Sequence, residues 1–280
     1  MKSIFFYIFC LCFLVFIDKR KKSWYNKNME KIYEHIREFQ VKYCEADFKD
    51  NLKLSTALSY MQEAACSSAD ELGFGYAYVK PRGLAFMVAN VCCEFLKPVS
   101  LGEWVQVKTW PTPPSYAVFG REYQFLSKSG EIAINASSRW CLLDVERGKL
   151  QLSKVIDNQD YSTYNTLKAL VKTEWKIPAF APAEGELRFS LKIANSEYDH
   201  NLHVNNTRYA DYCLNCFSVE ELSSLFLRYF SISYVQQCKE GETLSFYRKE
   251  EGENVYLVQG VNGNGETVVR AKIEFLPSDK

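Results

Sequence analysis

The sequence predicts an α+β protein built twice over, as two similar halves that are each a long helix packed on an antiparallel sheet. Three observations carry that reading. Apolar residues recur at helical spacing over 54–72 (Leu54, Ala57, Leu58, Met61, Ala64, Ala65, Leu72), and long β-type runs follow over 84–96, 104–110, 116–126 and 132–143. The turns between those runs, at Leu101-Gly102-Glu103, Pro111-Thr112-Pro113-Pro114 and Ser129-Gly130-Glu131, are too short for helical crossovers, which makes the sheet antiparallel. After a connection that is polar early and rich in Pro and Ala late, the same order begins again near residue 186.

The elements follow in order. Residues 37–43 alternate as a strand, 47–53 form a polar turn, and Gly73 ends the long helix. In the second half, 186–193 is strand-like, 199–206 is a polar turn, and an apolar helix starts at Tyr209 and runs past Phe217. Strands are then expected at 226–236, 243–247, 255–261 and 268–275. The repeat is visible in residues as well. Asn51-Leu52-Lys53-Leu54-Ser55 pairs with Asn201-Leu202-His203-Val204-Asn205, and Tyr60 with Tyr209. Leu101-Gly102-Glu103 pairs with Glu240-Gly241-Glu242, and Ser129-Gly130-Glu131 with Asn264-Gly265-Glu266. Three matches in one order argue for a duplication. The chain divides into an N-terminal extension (1–28), a first half (29–148), a linker (149–183) and a second half (184–280).

Composition narrows the function. Lys and Arg balance Asp and Glu at 34 each, so there is no global basic field and nucleic acid is not an expected partner. The ten cysteines form no paired CxxC sets. Cys213 and Cys216, one helical turn apart in an apolar run, read as small core residues rather than a redox or zinc pair. No metal and no cofactor are expected, and free thiols suit a reduced cytoplasm. Residues 4–17 are apolar and Lys19-Arg20-Lys21-Lys22 follows. That run is short for a spanning helix, and its charges stand on the wrong side for a secretory signal. Either it is a marginal anchor with its basic side in the cytoplasm, or translation starts at Met29, which leads directly into the first strand; the second reading is preferred.

The chemistry concentrates in Asp199-His200-Asn201-Leu202-His203-Val204-Asn205-Asn206-Thr207-Arg208-Tyr209. Two of the chain's three histidines lie here, with a carboxylate and three carboxamides, just before a helix. Helix starts present outward N–H groups and positive potential, which suits polarising a carbonyl and activating a water. Asn205 and Asn206 also suit helix capping. In the residue pairing above, the first half has Lys53 where the second has His203. An ammonium is no base near neutral pH without a large shift, so chemistry is assigned to the second half.

At these residues the chain resembles the acyl-acyl-carrier-protein thioesterases, fatty-acyl hydrolases of plants and bacteria. Their D-x-N-x-H-V-N-N-x-x-Y signature is matched by Asp199, Asn201, His203, Val204, Asn205, Asn206 and Tyr209. The resemblance spans 30–278 and includes Trp104 with Thr109-Trp110 and Ala136-Ser137-Ser138-Arg139-Trp140 with Asp144. It implies a double hotdog fold, acyl carrier protein as partner, and a fatty acyl chain held in the first half. It also implies Asp199, Asn201 and His203 as catalytic residues and a Glu-Cys pair nearby. Here that pair reads Gln237-Cys238, and a Gln can orient a water but cannot take its proton.

The expected mechanism is attack by an activated water. His203 serves as general base, Asp199 orients it or activates the water itself, Asn201 holds the water or the carbonyl, and backbone N–H groups at Asn205 and Asn206 form part of an oxyanion site. His200 has no counterpart in the signature and reads as exposed. Cys238 acting as nucleophile with His203 and Asn201 is an alternative; a small residue ending a strand is preferred. Phe86 and Met87 are candidates for the acyl pocket. Competing functions are acyl-CoA hydrolysis, non-catalytic acyl binding and dehydration. The halves can pair with each other, and a homodimer of the chain is a further arrangement.

Overall fold

The computed structural model describes residues 33–278, so the expected 1–28 extension lies outside the described residues. The first half comprises β1 (His35–Gln40), α1 (Leu54–Glu71), a one-turn α2 (Tyr76–Val79), β2 (Leu84–Phe95), β3 (Trp104–Pro111), β4 (Val118–Ser127), β5 (Ile132–Asp144) and β6 (Lys149–Gln151). The second comprises β7 (Glu186–Lys192), α3 (Arg208–Leu214), α4 (Val219–Ser223), β8 (Leu225–Tyr234), β9 (Thr243–Gly252), β10 (Val255–Val261) and β11 (Thr267–Pro277). No helix among the described residues is long and apolar enough to cross a membrane.

The strands form one 11-stranded sheet in the order β1-β3-β4-β5-β2-β8-β11-β10-β9-β7, with β6 beside β5. Every pairing is antiparallel, as the short turns demand. The halves meet at β2 and β8, where Asn90 pairs with Ser233 and Glu94 with Tyr229. Side chains reinforce that seam: Asn90 donates to Ser233 Oγ at 2.6 Å, and Arg228 donates to Glu94 Oε1 at 2.7 Å and to the Phe95 carbonyl at 2.8 Å.

α1 buries Leu54, Ala57, Leu58, Met61, Ala64 and Ala65 against the sheet, the stripe its sequence spacing dictates. The second half departs from the expected long helix. α3 stops after seven residues. The Cys216 carbonyl beyond it accepts from Arg188 Nε and Arg248 Nη1, both at 3.1 Å, and Ser218 starts α4 through a capping box with Glu221. One hydrophobic core runs through both halves, from Val105 and Phe125 to Phe246 and Ile273.

The linker is packed rather than loose. Trp110 donates from its indole to the Leu167 carbonyl at 3.0 Å, and the Glu174 N–H donates to the Tyr229 hydroxyl at 3.1 Å. Ile156, Tyr164, Leu170, Ile177 and Phe180 are buried, so this segment covers parts of the sheet that would otherwise be wet.

Asp211 on α3 is held against Ser55 of α1, and burial raises its carboxyl pKa despite the opposing effects of that hydrogen bond, Arg208 and Lys53. A carboxyl whose folded pKa lies above its unfolded value binds its proton more tightly when folded. Its contribution therefore turns unfavourable as pH rises from about 4 through the folded value. Asp211→Asn is expected to raise the thermal midpoint at pH 7 and to leave it unchanged near pH 3. A variant that is equally destabilised at both pH values would show that the charge is not the cost.

Candidate active site

The turn before α3 is built by Asp199. Its Oδ1 accepts from the N–H of Asn201 at 2.8 Å and of His203 at 3.4 Å, while its own N–H donates to the His203 carbonyl at 2.8 Å. Leu202 takes the left-handed conformation (φ 58°), which closes the loop, and a bridge joins Tyr198 to Val204. The His203 imidazole is held by the Asn201 carbonyl, 2.7 Å from Nδ1. A carbonyl only accepts, so Nδ1 carries a proton, and in the neutral ring Nε2 is the nitrogen with the free lone pair. Asp199 shapes the backbone of the turn and makes no hydrogen bond to the imidazole, and the group that orients the His203 ring is the main chain of Asn201.

The first half contains the same turn, displaced from the residue pairing read in the sequence. Asp47 Oδ1 accepts from Lys49 N–H at 2.8 Å and Asn51 N–H at 3.0 Å, and its N–H donates to the Asn51 carbonyl at 2.7 Å. Asp50 has φ 57°, and Ala46 bridges to Leu52. Asp47 thus corresponds to Asp199, Lys49 to Asn201, Asp50 to Leu202 and Asn51 to His203. The counterpart of His203 is Asn51, not Lys53, and the aspartate is present in both halves. The sequence pairing aligned two similar Asn-Leu dipeptides and missed a register two residues away.

The two turns face unequal spaces. The second-half turn contributes His200, Asn201 and Leu202 to a cavity of about 420 Å³ in the first half. Its walls come from α1, α2, β2, β4 and the linker, and include Phe74, Val79, Phe86, Phe119, Ile156 and Tyr164. Phe86 packs edge-to-face with Phe119 at 5.1 Å and with Phe74 at 6.0 Å. Met87 is not among the lining residues. The first-half turn faces a cavity of only about 90 Å³. There Lys49 Nζ donates to the carbonyls of Leu225 at 2.6 Å and Leu222 at 3.1 Å.

The remaining candidates fall in different places. Asn201 lines the large cavity; Asp199 and His203 do not. His200 is exposed, as expected, yet it is also part of the lining, with its ring edge-on to Tyr76 at 5.6 Å. The Asn205 N–H is bonded to the Glu197 carbonyl at 2.8 Å, which removes it from the expected oxyanion donors. Asn205 Oδ1 accepts from the N–H and hydroxyl of Thr207, both at 3.0 Å. The Asn206 N–H makes no bond among the described residues, while its carbonyl accepts from Tyr234 at 3.0 Å.

Gln237 is exposed, whereas Cys238 is fully buried. Burial pushes the Cys238 thiol up, partly offset by a hydrogen bond from Tyr209, so it stays neutral and packed. Cys238→Ala is expected to keep turnover within about tenfold of wild type, with no acyl-enzyme on rapid quench. A trapped acyl-cysteine would restore the nucleophile reading.

The N-terminal domain model of the acyl-ACP (acyl carrier protein) thioesterases matches residues 32–159, and their C-terminal domain model matches residues 182–277. The chain belongs to the acyl-ACP thioesterase family. Among curated acyl-ACP thioesterase relatives, the chloroplastic acyl-[acyl-carrier-protein] hydrolase FATB3 of Cuphea viscosissima is 22% identical over 257 residues, 86% of this chain and 62% of that protein. The chloroplastic palmitoyl-acyl carrier protein thioesterase of Gossypium hirsutum is 23% identical over 261 residues, 85% of this chain and 63% of that protein. The chain therefore spans less than two thirds of the length of these relatives. In fold it is similar to the acyl-ACP thioesterase of Bacteroides thetaiotaomicron (TM-score 0.78, 22% identity, 87% of this chain and 98% of that one). It is equally similar to the 12:0-ACP thioesterase of Umbellularia californica (TM-score 0.78, 19% identity, 88% and 98%). The double hotdog architecture expected from the resemblance is thus present.

Proposed function

We propose that the chain hydrolyses the thioester of fatty acyl–acyl carrier protein, releasing free fatty acid and so ending fatty acid synthesis. The observation that carries this reading is the junction of two parts: an apolar cavity in one half, and a histidine turn from the other half that reaches it through Asn201. An acyl chain seated in the cavity leaves its thioester carbonyl beside that turn.

A water attacks the carbonyl carbon and gives its proton to His203 Nε2. The oxyanion is met by the Asn206 N–H and the Asn201 carboxamide. As the intermediate collapses, the carbon–sulfur bond breaks and the phosphopantetheine thiolate takes the proton back from the imidazolium. Asp199 holds the turn in the geometry that presents the base. A thiolate leaves readily, so an exposed Gln237 in place of a carboxylate does not block the reaction.

The test is thiol release from a panel of acyl-carrier-protein thioesters, with the same acyl chains on CoA alongside. Faster release from the carrier protein is expected. Equal or faster release from CoA would reassign the substrate to acyl-CoA. Release no greater than background from every thioester would leave a non-catalytic acyl-binding protein.

A further inference from the structure

The acyl cavity contains a cation that the hydrolysis of a plain fatty acyl chain does not use. Arg121 of β4 lines it and is only 6% exposed. Its Nη1 donates to Ser68 Oγ at 2.9 Å and to Thr109 Oγ1 at 3.3 Å, two neutral hydroxyls. Nε and Nη2 have no acceptor among the described residues, and neither is completely enclosed. Burial lowers the guanidinium's pKa, and the ionisable groups around it, the phenols of Tyr123, Tyr33 and Tyr164 and the thiol of Cys66, are themselves held above their ordinary values and are neutral near pH 7. Asp70 is the one carboxylate in the lining, and it is exposed and forms no ion pair with Arg121. A guanidinium keeps its charge at any accessible pH, and burying one without a counter-ion is costly.

The position within the fold matters as much as the charge. β4 lies three strand spacings from β8, where the second half begins. At the usual spacing that is roughly 14 Å along the sheet. Arg121 therefore stands inside the first half, away from the seam, on a wall of the cavity that the second-half turn also lines. Beside it in the lining, Gln62 has its Oε1 enclosed without a partner. Turned about its last torsion, that amide offers its NH₂ group where Oε1 now lies unpartnered.

We propose that the cavity accepts acyl chains that end in a carboxylate, the monothioesters of α,ω-dicarboxylic acids, with Arg121 receiving the distal carboxylate. The pairing is a charge-assisted bidentate bond in an enclosed site, the arrangement for which arginine is best suited. This specificity rests on the hydrolase reading above, since it names the substrate of the same site.

The experiment compares carrier-protein thioesters of a dicarboxylic acid and of the unsubstituted fatty acid of equal length, in wild type, Arg121→Met and Gln62→Leu. Wild type is expected to favour the ω-carboxy chain in kcat/KM by about tenfold or more, the worth of one such pair. Arg121→Met is expected to remove that preference, and Gln62→Leu to reduce it. Equal or lower activity of wild type on the ω-carboxy chain overturns the proposal, as does an unchanged ratio in folded Arg121→Met. Binding of the free diacid and monoacid, followed by the fluorescence of Trp140 in the cavity wall, gives a readout without turnover. Diacid selectivity without thiol release would sink the hydrolase reading and leave the carboxylate site standing; release without diacid selectivity would do the reverse. If Arg121→Met does not fold, the wild-type substrate and binding comparisons together with Gln62→Leu decide.

Discussion

Replacing His203 by alanine is expected to lower kcat/KM on acyl-carrier-protein thioesters by about 10²–10⁴-fold, the range for removing a general base. The expectation rests on the turn geometry: the Asn201 carbonyl lies 2.7 Å from Nδ1, which in the neutral ring leaves Nε2 free to accept a proton. His203→Gln is expected to lose as much, because a carboxamide does not take a proton near neutral pH. His200→Ala serves as the comparison, since His200 lines the cavity beside Tyr76 and is given no part in the proton transfer. Its effect is expected in KM rather than kcat. Wild-type turnover in folded His203→Ala would remove His203 from the mechanism and shift the base to Asp199.

Phe230→Ala is expected to destabilise the protein by about 3–5 kcal/mol, read as a lower urea midpoint. Phe230 lies on β8 opposite Cys93 of β2, at the seam, and is fully buried in the core that both halves share. Truncation opens a void that neither half can close alone, because each wall belongs to a rigid sheet. A single cooperative transition is expected to persist, shifted as a whole. A second transition, or a loss below 1 kcal/mol, would show that the halves do not depend on one another at this point.

Much of the fold was legible because period alone specifies it. The apolar spacing of α1, the alternation of the strands and the Gly and Pro turns are local signals, and each maps onto an element of the structure. The second-half helix was overestimated for a reason outside its own sequence. The residues around Cys213 and Cys216 are apolar enough to continue, but Arg188 on β7 and Arg248 on β9 capture the Cys216 carbonyl from across the fold.

The candidate turn was legible as a motif, while its working geometry was not. Periodicity does not report that an aspartate bonds to the main chain instead of an imidazole, or that Asn205 gives its N–H to Glu197. The matching turn at Asp47 was hidden because its side chains differ and only its hydrogen bonds agree. Arg121 gave no signal either, since Gly120-Arg121-Glu122 reads as an ordinary alternating strand and the lining of a cavity is set by distant segments.

The pairing of the two turns also bears on symmetry. In a dimer of identical subunits related by a two-fold axis, every substitution appears twice, so a change that suits one site is imposed on the other. With both copies on one chain and joined through β2 and β8, that constraint is lifted. One copy has placed Lys49 across its small cavity and Asn51 where the other keeps a histidine. The other has kept the imidazole and faces the large space. Two copies on one chain can thus differ, and here they do: one turn faces about 90 Å³ and the other about 420 Å³.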